Sequence, residues 1–119
     1  RETLKAFYVN PSFLTEADYA GYLRVLRTAN WDIGLLGLTR DGGANRLTDA
    51  DLEAISARVG ARTLILWGEK DTVTPFESGQ QLAARIAGST FQTFPNVGHQ
   101  PHEEASDAFN TALIAFLKR

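Results

Sequence analysis

Two short runs, TLILW (63–67) and TFQTF (90–94), restrict the fold of this chain more than any other feature in it. The first is continuously apolar and closed by Gly68, the pattern of a strand buried on both faces. The second alternates and also reads as a strand. Between them Thr74, Pro75 and Glu77 read as a helix start: a cap, a proline at the first helical position and a capping-box glutamate. That helix is predicted to run to about Ala87, with Gly88 ending it. Beyond the second strand, a helix predicted from about Glu103 to Leu117 turns Phe109, Leu113, Phe116 and Leu117 inward. Strand, helix, strand, helix implies a right-handed parallel unit. Two parallel strands and two helices cover little sheet, and the outer edge of the first strand lacks a neighbour. This half reads as the end of a larger sheet.

The first half has a helical period. Thr15 with Asp18 forms a capping-box-like start, followed by Tyr19, Tyr22, Leu23 and Leu26 on one face. Trp31 to Leu38 is apolar and reads as helix despite Gly34 and Gly37, and RDGGANR (40–46) reads as a flexible loop. Thr48 and Asp51 repeat the capping pattern, Leu52, Ile55 and Val59 give a buried face, and Gly60 stands where a C-terminal cap belongs.

Composition narrows the function classes. A net charge of -2 without a basic stripe gives no reason to expect nucleic acid or an anionic membrane as partner. With no cysteine there is neither a disulfide nor a thiolate metal site. The longest apolar runs, IGLLGL and TLILW, are too short to span a bilayer, so a cytoplasmic or otherwise soluble protein is expected. Arg1 is not a methionine, so the true start of the protein is expected to lie upstream.

In open parallel sheets ligands bind at the carboxyl ends of the strands. Asp71 lies just past one strand and His99 just past the next, so adjacent parallel strands bring both to one edge. An aspartate that accepts the Nδ1 proton of a histidine fixes the ring tautomer and leaves the other nitrogen free to act as a base. The expected separation is then about 2.6–3.2 Å. Gly98 permits the tight turn that aims His99 at the site. Taken singly, the aspartate is equally well a turn residue and the histidine a capping or loop residue; it is their placement after consecutive strands that pairs them.

TLILWGEKDTVTP followed by FPNVGHQPHEEASDAFNTALIAFL resembles the C-terminal end of the α/β-hydrolase superfamily, over about residues 52–119. The resemblance implies an α/β fold: a partial α/β-hydrolase with a helical cap remnant (1–50) followed by a C-terminal core part (51–119) of two parallel strands and two helices. It implies that Asp71 is the triad acid, His99 the triad base, and Glu104 a glutamate of structural role. Two positions depart from the pattern: Arg62-Thr63 where Pro-Thr is common, and Ser106 where proline is common.

The family's nucleophile sits in a G-x-S-x-G elbow or an aspartate version of it. Neither occurs in these 119 residues; Ser78 in FESGQ lacks the first glycine and falls in a predicted helix. The expectation is therefore the C-terminal portion of an enzyme that hydrolyses an ester, or a similar bond, in a small apolar substrate. This chain alone is expected to be inactive. The alternatives are a carbon–carbon bond hydrolase, an epoxide hydrolase, or a non-catalytic truncated hydrolase acting as a self-associating module. The expected partners are the missing N-terminal portion or a second copy of the chain. Trp31, Leu35 and Leu36, with Leu38 and Phe13, are candidates to line an apolar substrate pocket, although packing of the cap on the core accounts for them equally well. His99 and His102 have H-x-x-H spacing, but Pro101 lies between them and no third ligand is evident, so no metal and no cofactor is assigned.

Overall fold

The computed structural model of the chain describes residues 1–44 and 47–118. In chain order its elements are α1 (Glu2–Lys5), α2 (Glu16–Leu23), α3 (Trp31–Ala44), α4 (Asp49–Ser56), β1 (Leu64–Gly68), α5 (Phe76–Arg85), β2 (Thr90–Phe94), α6 (Pro101–Glu104) and α7 (Ser106–Leu117). Single 3-10 turns lie at Pro11–Phe13 and Arg24–Arg27. The chain divides into two compact units, one joining Arg1–Pro11 to Glu53–Arg119 and the other comprising Ser12–Leu52. The first eleven residues thus leave the N-terminal half and group with the strands.

In the first unit β1 and β2 pair in parallel, in register from Leu64↔Thr90 to Gly68↔Phe94. Because side chains alternate across a strand, Ile65, Trp67, Phe91 and Thr93 share one face. That face meets α5: the Phe76 and Phe91 ring centroids are 5.9 Å apart, and a Cβ added at Gly79 would lie 2.6 Å from Trp67 Cδ2. A glycine inside a helix costs about 1 kcal/mol relative to alanine. Here it lets α5 lie against the indole. The opposite face, with Leu66 and Phe94, meets α7, where the Phe94 and Phe109 rings are 6.1 Å apart.

Several expectations shift by a residue or a face. Only Ile65 and Gly68 of β1 are buried, because a two-stranded sheet leaves the outer side of β1 unpaired. Helix α5 begins at Phe76 with Pro75 at the N-cap and no side-chain cap, one residue later than the proline implies. It ends at Arg85, and Gly88 takes the left-handed φ of 73° that turns the chain into β2. The last helix is broken at Ala105 (φ -136°, ψ 46°) into α6 and α7. Ala112 is buried on α7, while Leu117 is 67% exposed and not inward. Arg62 uses its departure from the family pattern: Nη2 donates to the Phe116 carbonyl at 2.7 Å and the guanidinium lies 4.7 Å from the Phe116 ring centroid. A cation there meets a last-turn carbonyl at the negative end of the helix dipole.

The second unit opens with the expected cap. Thr15 Oγ1 accepts from the Asp18 N–H at 3.3 Å, and the Asp18 carboxylate accepts from the Thr15 N–H at 2.7 Å. The helix tightens to 3-10 at Arg24, which breaks the expected stripe: Tyr19 is buried, whereas Tyr22, Leu23 and Leu26 are exposed. Helix α3 runs from Trp31 to Ala44, so most of the expected loop 40–46 is helical, since glycine weakens a helix without forbidding it. Positions 45 and 46 and the side chain of Leu38 lie outside the described residues. The Thr48–Asp51 cap forms as expected. The rest of α4 groups with the first unit; there Ser56 is buried, Ile55 is exposed, and the helix stops four residues before Gly60, which leaves Val59 outside it and exposed. No helix among the described residues is long and apolar enough to cross a membrane.

Candidate active site

The parallel pairing continues past both strands. The Glu69 N–H donates to the Phe94 carbonyl at 3.0 Å and the Lys70 N–H to the Val97 carbonyl at 2.8 Å, so the two loops leave the sheet side by side. Gly68 makes this possible, because a Cβ there would run into the Val97 and Gly98 carbonyl oxygens. At Gly98 a Cβ would lie 2.8 Å from the Phe7 carbonyl oxygen and 2.9 Å from Glu104 Oε1. Gly98 is therefore required by close approach. The expected turn conformation sits elsewhere, at Asn96 with φ 57°, a residue type that tolerates the left-handed region.

Asp71 Oδ2 and His99 Nδ1 are 2.9 Å apart, inside the range expected from the sequence. Asp71 Oδ1 accepts from the Val73 and Thr74 N–H groups, both at 2.8 Å. An ionised carboxylate only accepts, so the network assigns the shared proton to Nδ1 and leaves Nε2 with its lone pair. The Asp71 side chain is 6% exposed and that of His99 32%. The acid is enclosed and the ring reaches a cleft of about 280 Å³, lined by Leu66, Trp67, Asp71, Thr74, His99, Pro101, His102 and Phe109.

Glu104 holds the loop that carries His99. Its Oε1 accepts from the Gly98 N–H and its Oε2 from the Val9 N–H, each at 2.8 Å. The His99 N–H donates to the Phe7 carbonyl at 2.8 Å, and the Phe7 and His99 rings are 5.4 Å apart. Sequence reasoning places Gly98 and Glu104 beside the histidine but misses Phe7–Val9, because contacts across more than ninety positions leave no local pattern. It also misses Trp67 and Phe109 as cleft walls, although strand parity and helical spacing put both on apolar faces. The Trp67 indole N–H is buried and finds no acceptor among the described residues.

The remaining candidates fall elsewhere. Trp31, Leu35 and Leu36 lie on α3 of the other unit, 41%, 50% and 67% exposed. Phe13 is also exposed, in the turn after Pro11. His102 Nε2 lies 3.7 Å from Glu103 Oε1, and among the described residues no three His, Cys, Asp or Glu side chains gather as a metal site.

Comparison with known proteins places the chain in a family. Over 63 residues, 53% of this chain, it is 41% identical to a 2-hydroxy-6-oxononadienedioate/2-hydroxy-6-oxononatrienedioate hydrolase of Escherichia coli O139:H28 (strain E24377A / ETEC). The matched stretch spans 22% of that relative's length. The fold is similar to that of a meta-cleavage product hydrolase from Pseudomonas fluorescens IP01, with a TM-score of 0.75 and 23% identity, covering 98% of this chain and 43% of that one. It is also similar to an esterase from Exiguobacterium antarcticum, with a TM-score of 0.76 and 23% identity, covering 99% and 41%. Residues 44–119 match the family described as TAP-like protein. With that match over more than half of its length, the chain belongs to the TAP-like family within the α/β-hydrolase superfamily.

Proposed function

We propose that this chain contributes the acid–base pair of a hydrolase, with His99 as general base and then general acid and Asp71 as the group that orients it. The observation that carries the reading is the 2.9 Å contact between Asp71 Oδ2 and His99 Nδ1, made at the cleft and at the carboxyl ends of two paired strands. In this reading Nε2 takes the proton of a nucleophile that attacks the substrate carbonyl, and returns it to the leaving group. The nucleophile and the donors for the oxyanion belong to a part of the protein outside these residues, since no G-x-S-x-G elbow is present.

The reading of the substrate class takes its support from the sequence relative. Its name gives a hydroxy-oxo diacid, which favours carbon–carbon cleavage beside a ketone; ester cleavage is the second reading, favoured by the mostly apolar cleft wall. The Ser12–Leu52 unit is read as the end of a cap, with Trp31, Leu35 and Leu36 offered to the substrate. The unpaired side of β1 and the orphan Trp67 indole N–H support a protein partner, namely the remainder of the hydrolase core, with a second copy of the chain as the alternative.

The test uses the intact protein with p-nitrophenyl acetate and a 2-hydroxy-6-oxo-dienoic acid. His99→Ala should lower turnover on the order of 10⁴-fold or more, and the better of the two substrates assigns the class. A turnover unchanged by His99→Ala would remove the pair from the mechanism. The 119-residue chain by itself should turn over the ester no faster than its own His99→Ala variant.

A further inference from the structure

We infer that Tyr8 and Glu103 form a latch that positions His99, by holding the Phe7–Val9 segment against the histidine loop. The Tyr8 hydroxyl donates to Glu103 Oε2 at 2.6 Å, and Tyr8 is 6% exposed. On either side of it the segment makes two main-chain bonds: Phe7 accepts from the His99 N–H, and Val9 donates to Glu104, which also holds Gly98. The latch therefore joins the segment to α6 next to Glu104, the residue that fixes the loop from the other side.

Packing does not do this alone. A cleft of about 380 Å³ runs beside the segment, lined by Phe7, Val9, Lys70, Thr72 and Asn96 among others. With open space there, directed hydrogen bonds set where the segment lies. A charge-assisted bond of 2.6 Å is of the strong class. If it is lost, the Phe7 carbonyl can drift, and the His99 backbone drifts with it. Displacing a reacting group by about 1 Å costs on the order of 10²-fold in rate.

Tyr8 and Glu103 are positioning residues on this view, and the inference rests on His99 being the base. The experiment measures kcat and KM per folded molecule in the intact protein for Tyr8→Phe, Glu103→Ala and Glu103→Gln, beside His99→Ala. Tyr8→Phe and Glu103→Ala should lower kcat about 10- to 100-fold with KM nearly unchanged. Glu103→Gln should recover most of the loss, because an amide oxygen still accepts from the Tyr8 hydroxyl. Glu103 is exposed, so its variants fold even if Tyr8→Phe does not. If His99→Ala is slow but Glu103→Ala keeps a normal kcat, the latch is refuted and the base stands. If His99→Ala is as fast as the parent, the base itself fails.

Discussion

Asp71 divides its carboxylate, with Oδ2 on the ring of His99 at 2.9 Å and Oδ1 on the N–H groups of its own turn, Val73 and Thr74. The residue is thus both the orienter of the histidine and the keystone of the loop that leads into α5. The two roles separate under substitution. Asp71→Asn keeps an oxygen for the turn but presents an amide N–H to Nδ1, so the ring must reverse its tautomer and Nε2 loses its lone pair. Turnover of the intact protein should fall about 10⁴-fold with little change in melting temperature. Asp71→Ala also strips the turn of its acceptor and should lose about 1 kcal/mol of stability, the low end of the range for an orphaned group because Val73 N is exposed.

Two glycine-to-alanine changes should have opposite signs in urea unfolding. At Gly21, inside α2, an added Cβ meets nothing within 4 Å, so Gly21→Ala should stabilise by about 0.5–1 kcal/mol. At Gly79 the same Cβ would lie 2.6 Å from Trp67 Cδ2. Overpacking costs about 1–3 kcal/mol, more than the helix preference returns, so Gly79→Ala should destabilise. A gain at Gly79 would show that α5 has room to move away from the indole.

The capping acids give a pH dependence of known sign. The Thr15 hydroxyl and then the Thr15 N–H hold the Asp18 carboxyl below its ordinary value, and Thr48 does the same for Asp51. A depressed acid stabilises the fold above its unfolded value, about 3.9. That contribution is lost as the pH falls through the lower, folded value. The starts of α2 and α4 should therefore loosen below about pH 4, read as lost protection against exchange at the Thr15 and Thr48 amides, which donate to the two carboxylates. Thr15→Ala and Thr48→Ala should each bring the loosening to higher pH.

The strands, α5 and the Asp71–His99 pair were legible because each rests on a local signal: a period of two, a proline before a helix, an acid and a histidine after consecutive strands. Those of Phe7–Val9 were not. Nothing in FYV marks a segment whose main chain is bonded to positions 99 and 104 through Phe7 and Val9. The same limit explains Gly98, where glycine suggests a turn, but the crowding by Phe7 and Glu104 that requires it appears only in three dimensions. From position 52 the apolar period chose Leu52, Ile55 and Val59, but the helix ends at Ser56, which is the buried residue, with Leu52 half-buried and Val59 beyond the helix.

The chain by itself should associate. β1 has one free edge, and Val25, Ile33, Leu36, Leu47 and Leu117 are each more than half exposed, a degree of apolar exposure that favours association. Light scattering over a concentration series should show dimers or larger species, reversed when the remainder of the core is supplied as a separate polypeptide. A compact monomer at every concentration would mean that these faces need no cover.

Tyr8 and Glu103 meet across 95 positions, and the whole Ser12–Leu52 unit hangs between the two ends of that bond. A protease that severs the unit would therefore not free the short N-terminal piece. Phe7–Val9 would stay moored to the histidine loop by its hydrogen bonds, and the nicked molecule would run as one species until denaturant separated it. The contact between Asp71 and His99 is in this sense insulated from damage to the part of the chain that interrupts it.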